Sequence, residues 1–122
     1  DVMSKEFDNI RPIYIQIIED LKLAIVSGEY KCGAKLPVVR TLAEDLRVNP
    51  NTVQRAYNEL ENEKLVYTDR TNGRYVTNDE ELIKNMKLNI VKEKTEEFLN
   101  HMKSLGIEKK EIINYLKDIR KD

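Results

Sequence analysis

Tryptophan is absent from this chain, cysteine and histidine occur once each, and only 3 prolines and 4 glycines punctuate its 122 residues. Each shortage excludes something. The single cysteine, Cys32, rules out an internal disulfide scaffold. It lies between Lys31 and Lys35, a setting that suits a reactive thiol, but an incidental thiol is the plainer reading. The single histidine, His101, has no cysteine or carboxylate cluster at metal-ligand spacing around it, so no metal site and no cofactor is expected. Paired catalytic carboxylates, a nucleophile–base set and a phosphate-binding loop are all missing, and the chain does not read as an enzyme. No apolar run approaches the ~20 residues needed to cross a bilayer. The N-terminus lacks a basic-then-apolar signal pattern, and Met3-Ser4-Lys5, after Asp1 and Val2, reads as a natural start. Cytoplasmic localisation, with no membrane partner, is the expectation.

What is present suits a small helical protein. Hydrophobic residues make up 40% of the chain, enough to build a core, and the 35% that are charged imply long solvated helical faces. A net charge of −1 does not by itself favour nucleic acid. The distribution does. No Asp or Glu occurs from Arg47 through Asn58, or from Arg70 through Asn78, while Arg47, Arg55, Arg70 and Arg74 fall in those stretches. Exposed charges are screened beyond ~8–10 Å, so local sign decides what a groove-facing surface feels.

Periodicity orders the elements. Ile13, Ile17, Leu21, Ala24 and Ile25 recur at helical spacing after Pro12, and Gly28 is a good stop. Ala34 to Leu36 suggest a short strand. Pro37 is expected to start a second helix with Leu42, Ala43 and Leu46 inside. After the turn Arg47-Val48-Asn49, Asn49 is a good N-cap and Pro50 fits the first helical position. Val53, Ala56, Tyr57 and Leu60 then form a buried stripe, which leaves Asn51, Arg55, Asn58 and Asn62 on the opposite face, flanked by Thr52 and Gln54. Strands near 65–69 and 74–77 are expected to join through an Asn72-Gly73 turn. Beyond Asp79, Ile83, Met86, Ile90, Val91, Phe98, Met102 and Leu105 mark a long helix that Gly106 ends, and a final helix runs from Glu108 to Arg120. Such a tail cannot bury its apolar face alone; it needs the preceding domain or a second subunit.

The predicted fold is therefore mainly α: a winged helix-turn-helix of three helices plus a β-hairpin wing, followed by a two-helix dimerisation tail. The expected divisions are an N-terminal segment, 1–9, partly disordered; a DNA-binding domain, 10–78; and a helical hairpin, 79–122. An α-helix fits the major groove and presents its N-terminal residues to base edges. Asn51, Thr52, Gln54 and Arg55 suit that role. Arg40, early in the second helix, is placed for the DNA backbone, and Arg70 and Arg74 flank a wing tip that Gly73 lets approach closely. Plainer roles exist for several: Asn49 as a cap, Tyr57 as core, and Arg40 as the partner of Glu44.

The motifs Leu36-Pro37-x-x-Arg40-x-Leu42-Ala43, Val48-Asn49-Pro50-Asn51-Thr52-Val53, Ala56-Tyr57-x-x-Leu60 and Asn72-Gly73-Arg74-Tyr75-Val76, with Pro12-Ile13-Tyr14-x-Gln16-Ile17 ahead of them, resemble the GntR family of bacterial transcription regulators. The likeness runs from about Ile10 to Thr77, and the short helical tail resembles the YtrA subfamily. It implies a homodimeric repressor of its own operon on an inverted-repeat operator in double-stranded DNA, with ABC transporter operons as a frequent association. It also implies DNA contacts at Arg40, Asn49, Asn51, Thr52, Gln54 and Gly73; Arg55 is added from helix geometry. Three positions depart from the family pattern. Val38 stands where Ser is frequent, and Arg47 and Lys64 stand where Gly is frequent. Two other readings stay open: a winged-helix module for protein–protein assembly, and a regulator sensing an unknown small-molecule effector in a cleft near Asn78.

Overall fold

The computed structural model describes residues 7–119. The Met3 start, residues 1–6 of the expected N-terminal segment, and Arg120 lie outside the described residues. Five helices and one hairpin follow in order: α1 (Ile13–Val26), α2 (Val39–Leu46), α3 (Pro50–Asn62), β1 (Val66–Asp69), β2 (Gly73–Val76), α4 (Glu80–Ser104) and α5 (Lys109–Ile119). The mainly helical winged architecture agrees with the sequence reading. The chain divides into two compact units between Asn85 and Met86, inside α4.

In the first unit the i, i+3, i+4 spacing does what it predicts. Ile17, Leu21 and Ala24 of α1 meet Val53, Ala56, Tyr57 and Leu60 of α3, and all seven are wholly buried. Leu42 and Ala43 of α2 and Leu36, Leu65, Val66 and Val76 close the same core. Burying a side chain of this size stabilises by roughly 1.5–3 kcal/mol, so this stripe holds the three helices in register. Before α1, the buried Gln16 amide donates to the carbonyls of Asp8 (3.0 Å) and Arg11 (2.9 Å), while the Asp8 N–H donates to Gln16 Oε1 at 2.9 Å.

Three local expectations are corrected. Helix α2 begins at Val39, not Pro37, because Val38 is extended (φ −66°, ψ 151°) and caps the helix without a side-chain bond. The hairpin does not close through a two-residue Asn72-Gly73 turn. Asp69 pairs with Gly73, which leaves Arg70, Thr71 and Asn72 as a three-residue loop. Asp69 builds that loop: its carboxylate accepts from the Thr71 N–H at 2.9 Å and the Asn72 amide at 3.2 Å, and its carbonyl accepts from the Asn72 N–H at 3.2 Å. Gly73, with φ 115°, then turns the chain into β2. The short strand expected at Ala34–Leu36 is a single bridge, Lys35 to Tyr75, on the free edge of β2. Leu36 N–H donates to the Arg74 carbonyl (2.8 Å) and Val76 N–H to the Ala34 carbonyl (2.9 Å).

In the second unit, α4 stops at Ser104, one residue short of Leu105, through the expected glycine cap. Gly106 (φ 80°) donates to the Lys103 carbonyl and Ile107 to the Met102 carbonyl, both at 3.0 Å. Only Ile112 of α5 is buried; Val91, Phe98, Ile113, Leu116 and Ile119 are exposed. Phe98, Leu99, Ile112, Ile113 and Leu116 line an open groove of about 420 Å³.

Candidate nucleic-acid interface

Helix α3 is the centre of the candidate interface, and its start is set locally. Asn49 is its N-cap, with Oδ1 accepting from the Asn51 N–H at 2.8 Å, and Pro50 occupies the first helical position. The capping oxygen of Asn49 is thus spent on the helix. Asn51 is exposed, Thr52 and Gln54 are half-buried, and Arg55 is exposed. The Gln54 amide donates to Asn58 Oδ1 at 2.9 Å. Through these two turns the exposed face carries amides, a hydroxyl and a guanidinium, and no carboxylate.

Arg55 folds back onto α1. Its guanidinium carbon lies 3.7 Å from the Tyr14 ring centroid, and Nη2 donates to Tyr14 Oη at 3.1 Å. Arg40 is exposed in the first turn of α2 and, among the described residues, makes no ion pair with Glu44. Arg70 is exposed in the wing loop.

Arg74 flanks the wing tip, one residue after Gly73, but its side chain turns back to α3. It lies in β2 opposite Thr68, and its Nε donates to Glu61 Oε1 at 2.9 Å. The guanidinium lies 5.2 Å from the Tyr57 ring centroid. Thr68 donates to the same Glu61 oxygen. Glu61 therefore ties the last turn of α3 to both wing strands, and the charge of Arg74 is compensated within the fold. Sequence reasoning missed this pairing because Glu61 is 13 residues from Arg74. It also left out Lys35. This exposed lysine bridges to β2, and its Cε lies 3.3 Å from where a Cβ on Gly73 would stand. The weak strand character of Ala34–Leu36 was the available signal.

Two ionisations are perturbed close by. The N–H groups of the wing loop hold the Asp69 carboxyl below its ordinary range. Burial pushes the Tyr57 hydroxyl well above its ordinary value; Tyr30 adds to the shift and Arg74 opposes it. That hydroxyl donates to the Pro37 carbonyl at 2.6 Å and stays protonated.

His101 and Cys32 are exposed, and no metal-binding cluster occurs among the described residues. No described helix is long and apolar enough to cross a membrane.

Comparison with known proteins matches residues 13–76 to the model of the bacterial regulatory proteins, gntR family. The chain is 36% identical over 115 residues to the HTH-type transcriptional regulator YhcF of Bacillus subtilis (strain 168), covering 94% of this chain and 95% of that one. It is 37% identical over 112 residues to the HTH-type transcriptional repressor YtrA of the same organism, covering 91% and 86%. Among solved structures, a GntR family transcriptional regulator from Listeria monocytogenes aligns with a TM-score of 0.87 at 45% identity, covering 93% of this chain and all of that one.

Proposed function

The chain belongs to the gntR family of bacterial regulatory proteins and is a DNA-binding transcription regulator, and from that premise we propose that it is a homodimeric repressor acting on an inverted-repeat operator. The observation that carries the site is the acid-free exposed face of the first two turns of α3. In this reading Asn51, Thr52 and Gln54 meet base edges in the major groove, as amides and hydroxyls suit adenine edges and thymine methyls. Asn49 acts chiefly by fixing the helix start. Arg40 meets the flanking backbone, and Arg70 at the wing loop enters the neighbouring minor groove, where Gly73 permits close approach. Arg74 supports the wing through Glu61.

The dimer reading rests on the second unit. Two helices leave Val91, Phe98, Ile113 and Leu116 uncovered, and a symmetric pair of such hairpins buries both faces as a four-helix arrangement. The repressor role follows the name of YtrA, similar over 91% of this chain. An assembly module without DNA is disfavoured, because a protein-binding face has no need to exclude carboxylates from Arg47 through Asn58.

The test is selection of bound duplexes from a random pool by the full-length protein. An enriched inverted repeat with half-site centres about one helical turn apart (~34 Å) is expected. Enrichment of no sequence overturns the operator reading, and a strictly monomeric protein at micromolar concentration in sedimentation overturns the dimer. Effector sensing has one observation in its favour: an open cleft of about 400 Å³ lined by Ile25, Val26, Lys31, Cys32, Glu80 and Ile83.

A further inference from the structure

We infer that Tyr14 is a positioning residue that sets Arg55 as a clamp for a DNA backbone phosphate; the inference rests on the reading of α3 as the recognition helix. Three observations carry it.

The first is the fit of the two side chains. The Arg55 guanidinium stacks on the Tyr14 ring at 3.7 Å while Nη2 donates to the hydroxyl at 3.1 Å. A contact over the ring and a hydrogen bond to its hydroxyl together restrict the position of the group. A free arginine surrenders several rotamers when it binds; one already held this way surrenders fewer.

The second is charge. Glu59 sits four residues after Arg55 on the same helix, yet no ion pair joins them among the described residues. Two other arginines, Arg11 and Arg74, contrast with it. Arg11 Nη1 lies 2.7 Å from Glu19 and its Nη2 3.2 Å from Asp8, and Arg74 is taken by Glu61. Those two cations are compensated within the fold. Arg55 is held by a neutral ring and keeps its full charge for a partner.

The third is direction. A guanidinium whose carbon lies 3.7 Å over the Tyr14 ring is held on the side of α3 that meets α1. Among the described residues only Nη2 is hydrogen-bonded, which leaves the other N–H donors of the rigid fork for a phosphate's oxygens. Reading a base edge requires it to leave the ring; gripping the backbone where α1 and α3 approach the duplex does not. Arg55 thus contributes affinity without sequence preference, and Tyr14, on a different helix, tunes that affinity through it.

The experiment uses full-length protein, a duplex selected by the wild type from a random pool, and a mixed-sequence duplex. Arg55→Ala is expected to weaken binding to both duplexes by the same factor, about tenfold. It should also reduce the slope of log affinity against log salt by about one phosphate. Tyr14→Leu is expected to weaken binding about threefold and to have no further effect once Arg55→Ala is present, whereas Tyr14→Phe, which keeps the ring, retains most of the affinity. A changed base preference at one position with an unchanged salt slope in Arg55→Ala overturns the clamp. Equal losses from Tyr14→Leu in both backgrounds, or a lower unfolding midpoint with no change in salt slope, overturn the positioning role. Failure of the wild type to bind either duplex removes the DNA reading and this inference together. Binding by the wild type that the variants match removes this inference alone.

Discussion

The hydroxyl of Tyr57 donates to the carbonyl of Pro37 at 2.6 Å, from a ring wholly buried between α3 and the loop that leads into α2. This one bond links α3 to the segment that sets the start of α2. Tyr57→Phe keeps the packing and leaves the Pro37 carbonyl without that partner, at a cost of about 1 kcal/mol, or a midpoint ~4–8 °C lower for a unit of this size. The pH dependence has a definite sign. The folded hydroxyl titrates above the unfolded value of about 10, so between those two values the unfolded chain has given up a proton that the native chain retains. The stability is therefore fully present below pH ~10 and is lost as pH rises toward the folded value. Urea midpoints across that range should fall in the wild type and less steeply in Tyr57→Phe.

Arg74→Ala should lower stability as well as any DNA affinity. With side chains 21% and 32% exposed, the Arg74–Glu61 pair is part-buried, and among the described residues removing Arg74 leaves the carboxylate with Thr68 alone. A loss of about 1 kcal/mol is expected, discounted for solvent screening. Arg74→Ala combined with Glu61→Gln should recover part of it; thermal unfolding of the single and double variants measures the coupling. Identical midpoints for wild type and Arg74→Ala would remove the helix-to-wing tie.

Arg47 and Lys64 should each be improved by glycine. Both are left-handed, with φ 57° and 64°, and both end a helix with the same paired bonds. Arg47 donates to the Glu44 carbonyl and Val48 to the Ala43 carbonyl; Lys64 donates to Glu61 and Leu65 to Leu60. A side chain in that conformation costs roughly 1–2 kcal/mol; glycine relieves that strain, and its freer unfolded chain offsets part of the gain. Arg47→Gly and Lys64→Gly are each expected to gain about 0.5 kcal/mol and to add when combined, because the two turns share no partner. A lower unfolding midpoint in either variant contradicts the strain.

Asn49 and Asn51, two residues apart, should separate cleanly in assay. Asn49→Ala removes the bond to the Asn51 N–H and should cost about 1 kcal/mol of stability. Asn51→Ala leaves the cap acceptor in place and should lower operator affinity with the midpoint unchanged. A stability loss in Asn51→Ala equal to that in Asn49→Ala would place Asn51 in the fold rather than on DNA.

Leu116→Glu tests the tail. Leu116 is 54% exposed and lines the apolar groove with Phe98 and Ile113. A carboxylate there puts unpaired charge into the proposed subunit contact while leaving the buried Ile112 in place. Sedimentation should show monomer, and operator affinity should drop because two half-site readers lose their linkage. A variant that sediments as the wild type does would move the contact elsewhere.

Much of the fold was legible in the chain because its signals are local. The Asn49-Pro50 start of α3, its stripe of Val53, Ala56, Tyr57 and Leu60, and the Gly106 stop of α4 each depend on residues within about one or two helical turns. The departures at Arg47 and Lys64 were visible only through the family resemblance, which has glycine frequent at both positions; nothing local in the chain marks them, and the left-handed φ belongs to the structure. The wing loop was misread because Asn-Gly is a strong local signal, yet Asp69 set a longer loop by accepting from both Thr71 and Asn72.

The sequence by itself determined the order of elements, the buried stripe and the acid-free stretches, since helical period and charge are properties of neighbours along the chain. Only the tertiary structure decided where the long cations went. Arg55 lies 41 residues from Tyr14 and Arg74 lies 13 from Glu61. A guanidinium on a flexible stem takes whichever partner packing brings within reach, and that packing exists only once α1, α3 and the wing share one core.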